Sequence, residues 1–193
     1  MDRTIVNGFD VGALFETVET IGEDPCIAAF KFRARNRWVG GGENRTTIDG
    51  YYAACEELSR DEPFELVNDE PPVLLGTDTA PNPTEYVLHA LAGCMTTSLV
   101  AHAAARGVTV EEVDTHIFGD LDVQGFLGID ESVRNGFERI AIEMRVKADA
   151  PEETIRELCE IARARSPVFD IVTNRVPVAL ELVAQPAGDE AET

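Results

Sequence analysis

The chain has 193 residues, 44% of them hydrophobic, which suits one globular domain with a real core and excludes a disordered segment. Its 36 Asp and Glu against 16 Lys and Arg give a formal charge of −20. That balance argues against nucleic acid and against anionic membrane surfaces, both of which call for a basic patch.

Met1 to Asn7 lacks the apolar core of a signal peptide, so the expectation is a cytoplasmic protein with mostly reduced thiols. Lys31 and Lys147 are its lysines, and the other basic residues are arginines. Such a surface fits a salty cytosol that screens its self-repulsion, or simply an acidic soluble protein.

Asp10 reads as the cap of a short helix over 10–21, with Val11, Leu14, Phe15, Val18 and Ile21 on one face. Gly22 and Pro25 end it. Residues 27–39 read as one strand carrying Phe30, Phe32 and Trp38, and Arg33, Arg35 and Arg37 share a face of it. The Gly40-Gly41-Gly42 turn leads to a return strand over 45–48, completing a hairpin. Residues 51–60 are ambiguous between strand and helix. Short strands are expected at 64–67 and 73–75, then a loop from Gly76 to Pro81.

The strongest signal follows. Asn82 suits an N-cap, Pro83 the first helical position, and Glu85 the third position of a capping box. A helix from Pro83 to Arg106, stopped by Gly107, spans about 36 Å. It is apolar or small nearly all round, which predicts a helix buried on all sides. Thr84, Glu85, His89, Thr96, Thr97, Ser98 and His102 interrupt any membrane-length apolar run.

Residues 108–123 read as extended, 124–136 as a loop, and 140–148 as a clean alternating strand. A second principal helix runs over 150–165 until Pro167 stops it. A last strand is expected at 176–183. The fold class is therefore α+β, a mainly antiparallel sheet with two principal helices. The division is an extension over 1–26, one domain over 27–184, and an acidic tail over 185–193.

Cys26, Cys55, Cys94 and Cys159 lie far apart, with no CxxC and no Cys/His pair at zinc spacing, so neither a metal nor a cofactor is expected. Cys94 sits near the middle of the long helix, beyond reach of the N-terminal dipole. A lone buried cysteine is more often a small hydrophobe than a nucleophile. His89, His102 and His116 do not line up with it along the chain.

Several segments resemble, in order, the osmotically inducible protein C (OsmC) and organic hydroperoxide resistance family. They are Asn82-Pro83-Thr84-Glu85 through Ala92-Gly93-Cys94, Arg106-Gly107-Val108, Gly119-Asp120-Leu121-Asp122 with Gly125-Phe126, Ser166-Pro167-Val168 and Val176-Pro177-Val178. The resemblance spans residues 30–183 and implies an intertwined homodimer with a reactive cysteine near the subunit interface. It further implies reduction of organic hydroperoxides by a first cysteine, aided by an arginine and a glutamate and resolved by a second cysteine in a Cys-Pro pair.

On that resemblance Cys94 matches the first cysteine, and Ser166-Pro167 takes the place of Cys-Pro, so the resolving thiol is missing. The glutamate's usual place is Thr84, with Glu85 one residue on. Arg45 is the best match for the arginine, while Arg33, Arg35 and Arg37 stay candidates. Cys159, two helical turns before Ser166, could replace the resolver only if it came close to Cys94. Three readings stay open. One is a one-cysteine peroxidase regenerated by an external small thiol. Another is a binding or redox-sensing protein holding a small apolar ligand. The third is a structural protein without pocket chemistry.

Overall fold

The computed structural model of the chain describes residues 4–184, so the expected tail over 185–193 lies outside the described residues. A minimal hairpin, β1 (Ile5–Val6) and β2 (Phe9–Asp10), opens the chain. Asn7 stitches it to the core: its amide donates to the Val108 carbonyl at 2.9 Å and accepts from the Val110 N–H at 2.8 Å. Helix α1 (Val11–Glu23) follows, and Asp10 caps it by accepting from the Ala13 N–H at 3.1 Å, as its sequence predicts. Its apolar face is only partly covered; Phe15 and Val18 are exposed.

The predicted single strand over 27–39 is broken. Residues 24–29 fold into successive turns, in which Ile27, Ala28 and Ala29 donate to Asp24, Pro25 and Cys26 carbonyls. The extended part is two pieces, β3 (Lys31–Phe32) and β4 (Arg35–Gly40). Both pair antiparallel with β5 (Glu43–Ala53), whose other edge carries β6 (Glu56–Asn68). The ambiguous stretch 51–60 is thus the β5–β6 hairpin, turning at Ala54 and Cys55 with φ of 50° and 64°. This four-stranded arm packs chiefly on itself. It leaves Phe32, Trp38, Phe64 and Leu66 exposed.

Cys26 and Cys55 form a disulfide, with Cα atoms 5.8 Å apart. This corrects the expectation of mostly reduced thiols: two of the four are paired, and Cys94 and Cys159 are free. The expected strand at 73–75 is also corrected. Residues Pro72–Leu74 form a 3₁₀ turn, because Pro71 and Pro72 bring fixed φ angles and no N–H for a ladder.

The loop into the long helix is built on Asp69, which is 2% exposed. Its carboxylate accepts from the N–H of Glu70 (2.8 Å), the N–H and hydroxyl of Thr77 (3.1 and 2.6 Å) and those of Thr79 (3.1 and 3.0 Å). These bonds, led by the Thr77 hydroxyl, hold the Asp69 carboxyl well below the usual carboxylate range.

Helix α2 (Pro83–Ala105) packs on α4 (Glu152–Arg165), α5 (Pro167–Thr173) and β7 (Val110–Asp120). β7 pairs antiparallel with β8 (Arg139–Ala148), with Ile117 opposite Ile142, and the short α3 (Val123–Phe126) opens their connection. Leu91, Met95, Leu99 and Ala103 from α2 meet Leu158 and Ala162 from α4, covered by Val113, Ile117, Ile142, Met144 and Val146. This spacing of four buries one stripe, and Gly93 and Thr97 face outward. α2 was expected to be covered all round; within one chain it is covered on one side. By length and mean hydropathy (1.3) α2 would also pass for a membrane span. Its apolar stripe is instead the core of the described chain.

Pro167 stops α4 as predicted but also begins α5, which the sequence reading missed. The expected last strand does not form. Residues 176–183 make no ladder, and Val178, Leu180 and Leu182 are 88%, 94% and 84% exposed. A strand needs a neighbour for its N–H and C=O groups, and none of the described strands lies alongside. The architecture is α+β with antiparallel sheets.

Candidate functional site

The site begins with the face of α2. Cys94 is half-buried, one position before the core residue Met95. The α4–α5 corner lies across from it. Ser166 ends α4, its N–H donating to the Ala162 carbonyl at 2.9 Å, and caps α5, its hydroxyl oxygen accepting from the Phe169 N–H at 3.1 Å. Such a cap satisfies one of the donors that a helix start leaves free. The same hydroxyl donates to Cys94 Sγ at 3.1 Å. Ser166 is 2% exposed, so its hydroxyl is fully engaged and shielded from water.

Glu85 is elsewhere. Its Oε2 accepts from the Asn82 N–H at 2.8 Å, closing the capping box. It lies nine residues before Cys94, about 13 Å along the helix axis. Asn82 also donates to the Glu70 carboxylate, tying the α2 start to the Asp69 loop. Arg45 is on the arm, on the same sheet face as its cross-strand neighbours Arg37 and Val67. Its guanidinium bonds Glu43 at 3.1 and 3.2 Å. Arg33 pairs with Glu57 in a two-bond contact at 2.7 Å. Of the four residues singled out in the sequence, a single chain brings Cys94 and Ser166 together and leaves Glu85 and Arg45 apart from them. Among the described residues, no ion pair or hydrogen bond joins a basic side chain to Cys94.

Cys159 is free on α4. It lines a cleft of about 410 Å³ with Met95, Ile142, Met144, Arg163 and Phe169. Burial, then the neighbouring Glu160 charge, pushes its thiol up. A separate cleft of about 430 Å³ lies by the start of α2, between Leu74, Pro83, Leu121, Val123 and Phe126 with Glu70, Asn82 and Glu85 at its rim. Among the described residues no group of His, Cys, Asp and Glu is arranged to hold a metal ion.

The profile of the OsmC-like protein family matches residues 76–181, from the loop before α2 to the extended C-terminal segment. The chain belongs to the OsmC-like family. Solved structures share the fold of this OsmC-like chain. An OsmC-like protein from Mycoplasma pneumoniae superposes with a TM-score of 0.58 at 15% identity, covering 74% of this chain and 87% of the other. One from Vibrio cholerae gives 0.56 at 11% identity, covering 72% and 92%. An organic hydroperoxide resistance protein OsmC from Legionella pneumophila gives 0.52 at 16% identity, covering 74% and 88%. No curated protein matches this OsmC-like sequence significantly.

What the sequence reading missed at the site is the double role of Ser166. The signal was present: a serine directly before Pro167, with Asp170 in the first turn, is a helix start.

Proposed function

We propose that this OsmC-like protein is a thiol-dependent reductase of organic hydroperoxides, acting through Cys94 in the cytoplasm. The observation that carries the reading is the 3.1 Å hydrogen bond from Ser166 to the Cys94 sulfur. It joins the two positions that match the family's paired thiols, and a hydroxyl donor aimed at sulfur steadies negative charge there. The Cys94 thiolate attacks the peroxide O–O bond, releasing an alcohol and leaving a sulfenic acid. Serine cannot form a disulfide. An external small thiol therefore condenses with the sulfenic acid, expelling water, and a second thiol then frees Cys94.

The active unit in this reading is a homodimer. Among the described residues, the arm lies off its own core with aromatic side chains exposed, the 176–183 segment has no strand partner, and the Gly93 side of α2 has nothing within contact distance of an added Cβ. A second copy covering these surfaces would bring an arm, and with it Arg45, toward the other copy's Cys94. Glu85 keeps a supporting role at the α2 start.

A second reading, a binding or redox-sensing protein on the same fold, draws on one observation: among the described residues of the single chain, no basic side chain bonds Cys94. Single-turnover reaction of the reduced protein with cumene hydroperoxide, followed by mass spectrometry of the Cys94 peptide, separates the two. Stoichiometric cumyl alcohol and a trapped Cys94 sulfenic acid are expected. A Cys94 that stays reduced while the protein binds the hydroperoxide would establish the second reading instead.

A further inference from the structure

The Cys26–Cys55 pair lies outside the Cys94–Ser166 contact of its own chain. Both residues are exposed. Cys55 occupies the second position of the Ala54-Cys55 turn, with φ of 64°. Turn chemistry at such a position selects Gly, Asn or Asp, because a Cβ is disfavoured there. A cysteine is instead explained by what faces it, Cys26, with Cα atoms 5.8 Å apart and inside the range a disulfide spans. Cys26 is held in place by its own loop: its N–H donates to the Asp24 carboxylate at 3.0 Å, and its carbonyl accepts from Ala29 at 3.1 Å.

The bridge joins two parts of the chain, close to the short β3–β5 pairing that also ties them. On one side is the N-terminal segment, anchored to the core through Asn7 and through α1 against α2. On the other is the tip of the arm. Just beyond Cys26, Phe30, Phe32 and Tyr51 form a run of rings with centroids 5.8 and 5.9 Å apart. The bond therefore fixes where the arm's aromatic edge meets the N-terminal segment.

We propose that Cys26 and Cys55 are a second thiol site of this protein, a reversible redox clamp between the N-terminal segment and the arm. Exposed disulfides are the ones open to attack by small thiols, whereas buried ones resist it. In the dithiol form, one thiolate attacks the O–O bond of an organic hydroperoxide, releasing an alcohol and becoming a sulfenic acid. The other thiol displaces water from it, forming the S–S bond. The pair loses two electrons and two protons, and the hydroperoxide becomes alcohol and water. An external dithiol reverses the step and is itself oxidised to a disulfide. Reduction leaves the α2–α4 core and the β3–β5 pairing intact and frees the turns over 24–29 from the arm tip.

The test uses the whole protein, native and with Cys94→Ser, which removes the thiol of the proposed peroxidase site. After dithiothreitol and its removal, the thiols are titrated with cumene hydroperoxide, and peptides are mapped without reduction. The Cys26–Cys55 peptide is expected to vanish under native reduction and to return with one cumyl alcohol per bridge in Cys94→Ser as well. Hydrogen exchange over residues 24–29 is expected to rise at least tenfold on reduction, and Cys26→Ser to show the reduced pattern under all conditions. A bridge that survives native dithiothreitol would make it a fixed structural bond and overturn the proposal. So would thiols that never pair, a bridge that returns only when Cys94 is present, or exchange over 24–29 that ignores the redox state.

Discussion

Replacing Ser166 with cysteine should create a disulfide to Cys94 under organic hydroperoxide. The serine oxygen is already 3.1 Å from the Cys94 sulfur, and a disulfide requires about 2 Å. The longer C–S bond of cysteine covers part of the gap, and a small rotation at the α4–α5 corner covers the rest. The two positions are 72 residues apart. Chain-entropy arithmetic for a loop of that size gives about 4 kcal/mol of stabilisation. Loss of the serine cap on α5 costs about 1 kcal/mol. The net, about 3 kcal/mol, should raise the melting temperature of the oxidised variant over the unmutated protein by about 6–12 °C for a chain of this size. Non-reducing peptide mapping reads the bond, and melting of the peroxide-treated variant beside the peroxide-treated unmutated protein, both without reductant, reads the energy. Two free thiols in a folded, peroxide-treated Ser166→Cys variant would refute the geometry. A Cys94–Cys159 disulfide in the unmutated protein would show that the resolver is Cys159.

The Asp69 loop makes a pH prediction. The folded-state carboxyl titrates below its unfolded value of about 4, so its stabilising effect is complete above that pH, begins to fall there and is lost as the pH drops through the lower folded-state value. Melting of the unmutated protein should therefore drop more steeply below pH 4 than melting of Asp69→Asn, which should start lower at neutral pH; parallel acid limbs would contradict this. Gly76→Ala sets a Cβ 1.8 Å from the Glu70 carbonyl oxygen, a backbone clash that should cost about 1–3 kcal/mol in denaturant unfolding, and an unchanged midpoint would show that the loop gives way freely. Stability should rise with salt up to about 1 M, where the screening length is about 3 Å, and a flat or falling melting temperature would remove the argument from charge. Sedimentation at micromolar concentration should show a dimer, and a stable monomer would count against the proposed assembly.

What was legible in the sequence was what is encoded locally. The caps of α1 and α2 depend on Asp10, Asn82 and Glu85 and the few residues after each, so both helices begin where expected. β8 alternates so cleanly from Ile140 to Ala148 that its buried face could be assigned from period alone. Features set by distant partners were not legible. Cys26 and Cys55 meet only because β5 and β6 form a hairpin whose extent was ambiguous. The Asp69 cluster draws on Thr77 and Thr79 across a loop with no periodic signal. Pro167 marks the end of one helix and the start of the next, and one residue gives no way to separate the two readings. At the site, the order of motifs singled out Cys94 and Ser166. Glu85 was legible as a cap, and that is the bond it makes.

The misread strand at 176–183 bears on assembly. Its sequence alternates as a half-buried strand should, yet Val178, Leu180 and Leu182 are exposed in the single chain, as are Phe32, Trp38 and Phe64 on the arm. Burying six such side chains contributes about 1.5–3 kcal/mol each, so roughly 9–18 kcal/mol per copy. In a two-fold dimer each contact occurs twice, which doubles the figure. The cost of association is about 4–15 kcal/mol, so covering all of these side chains favours the dimer, whereas covering half of them only about matches the upper end of that cost. Charge opposes it. Two chains of −20 bring −40 into one particle, and only screening makes that tolerable. The apolar surface and the acidic surface therefore pull the monomer–dimer balance in opposite directions. Salt should shift it toward dimer by weakening the repulsion while leaving apolar burial intact. If the other copy's arm also brings a cation to Cys94, peroxide reduction should rise with salt and with protein concentration together. An activity per chain that is independent of both would separate Cys94 chemistry from the dimer.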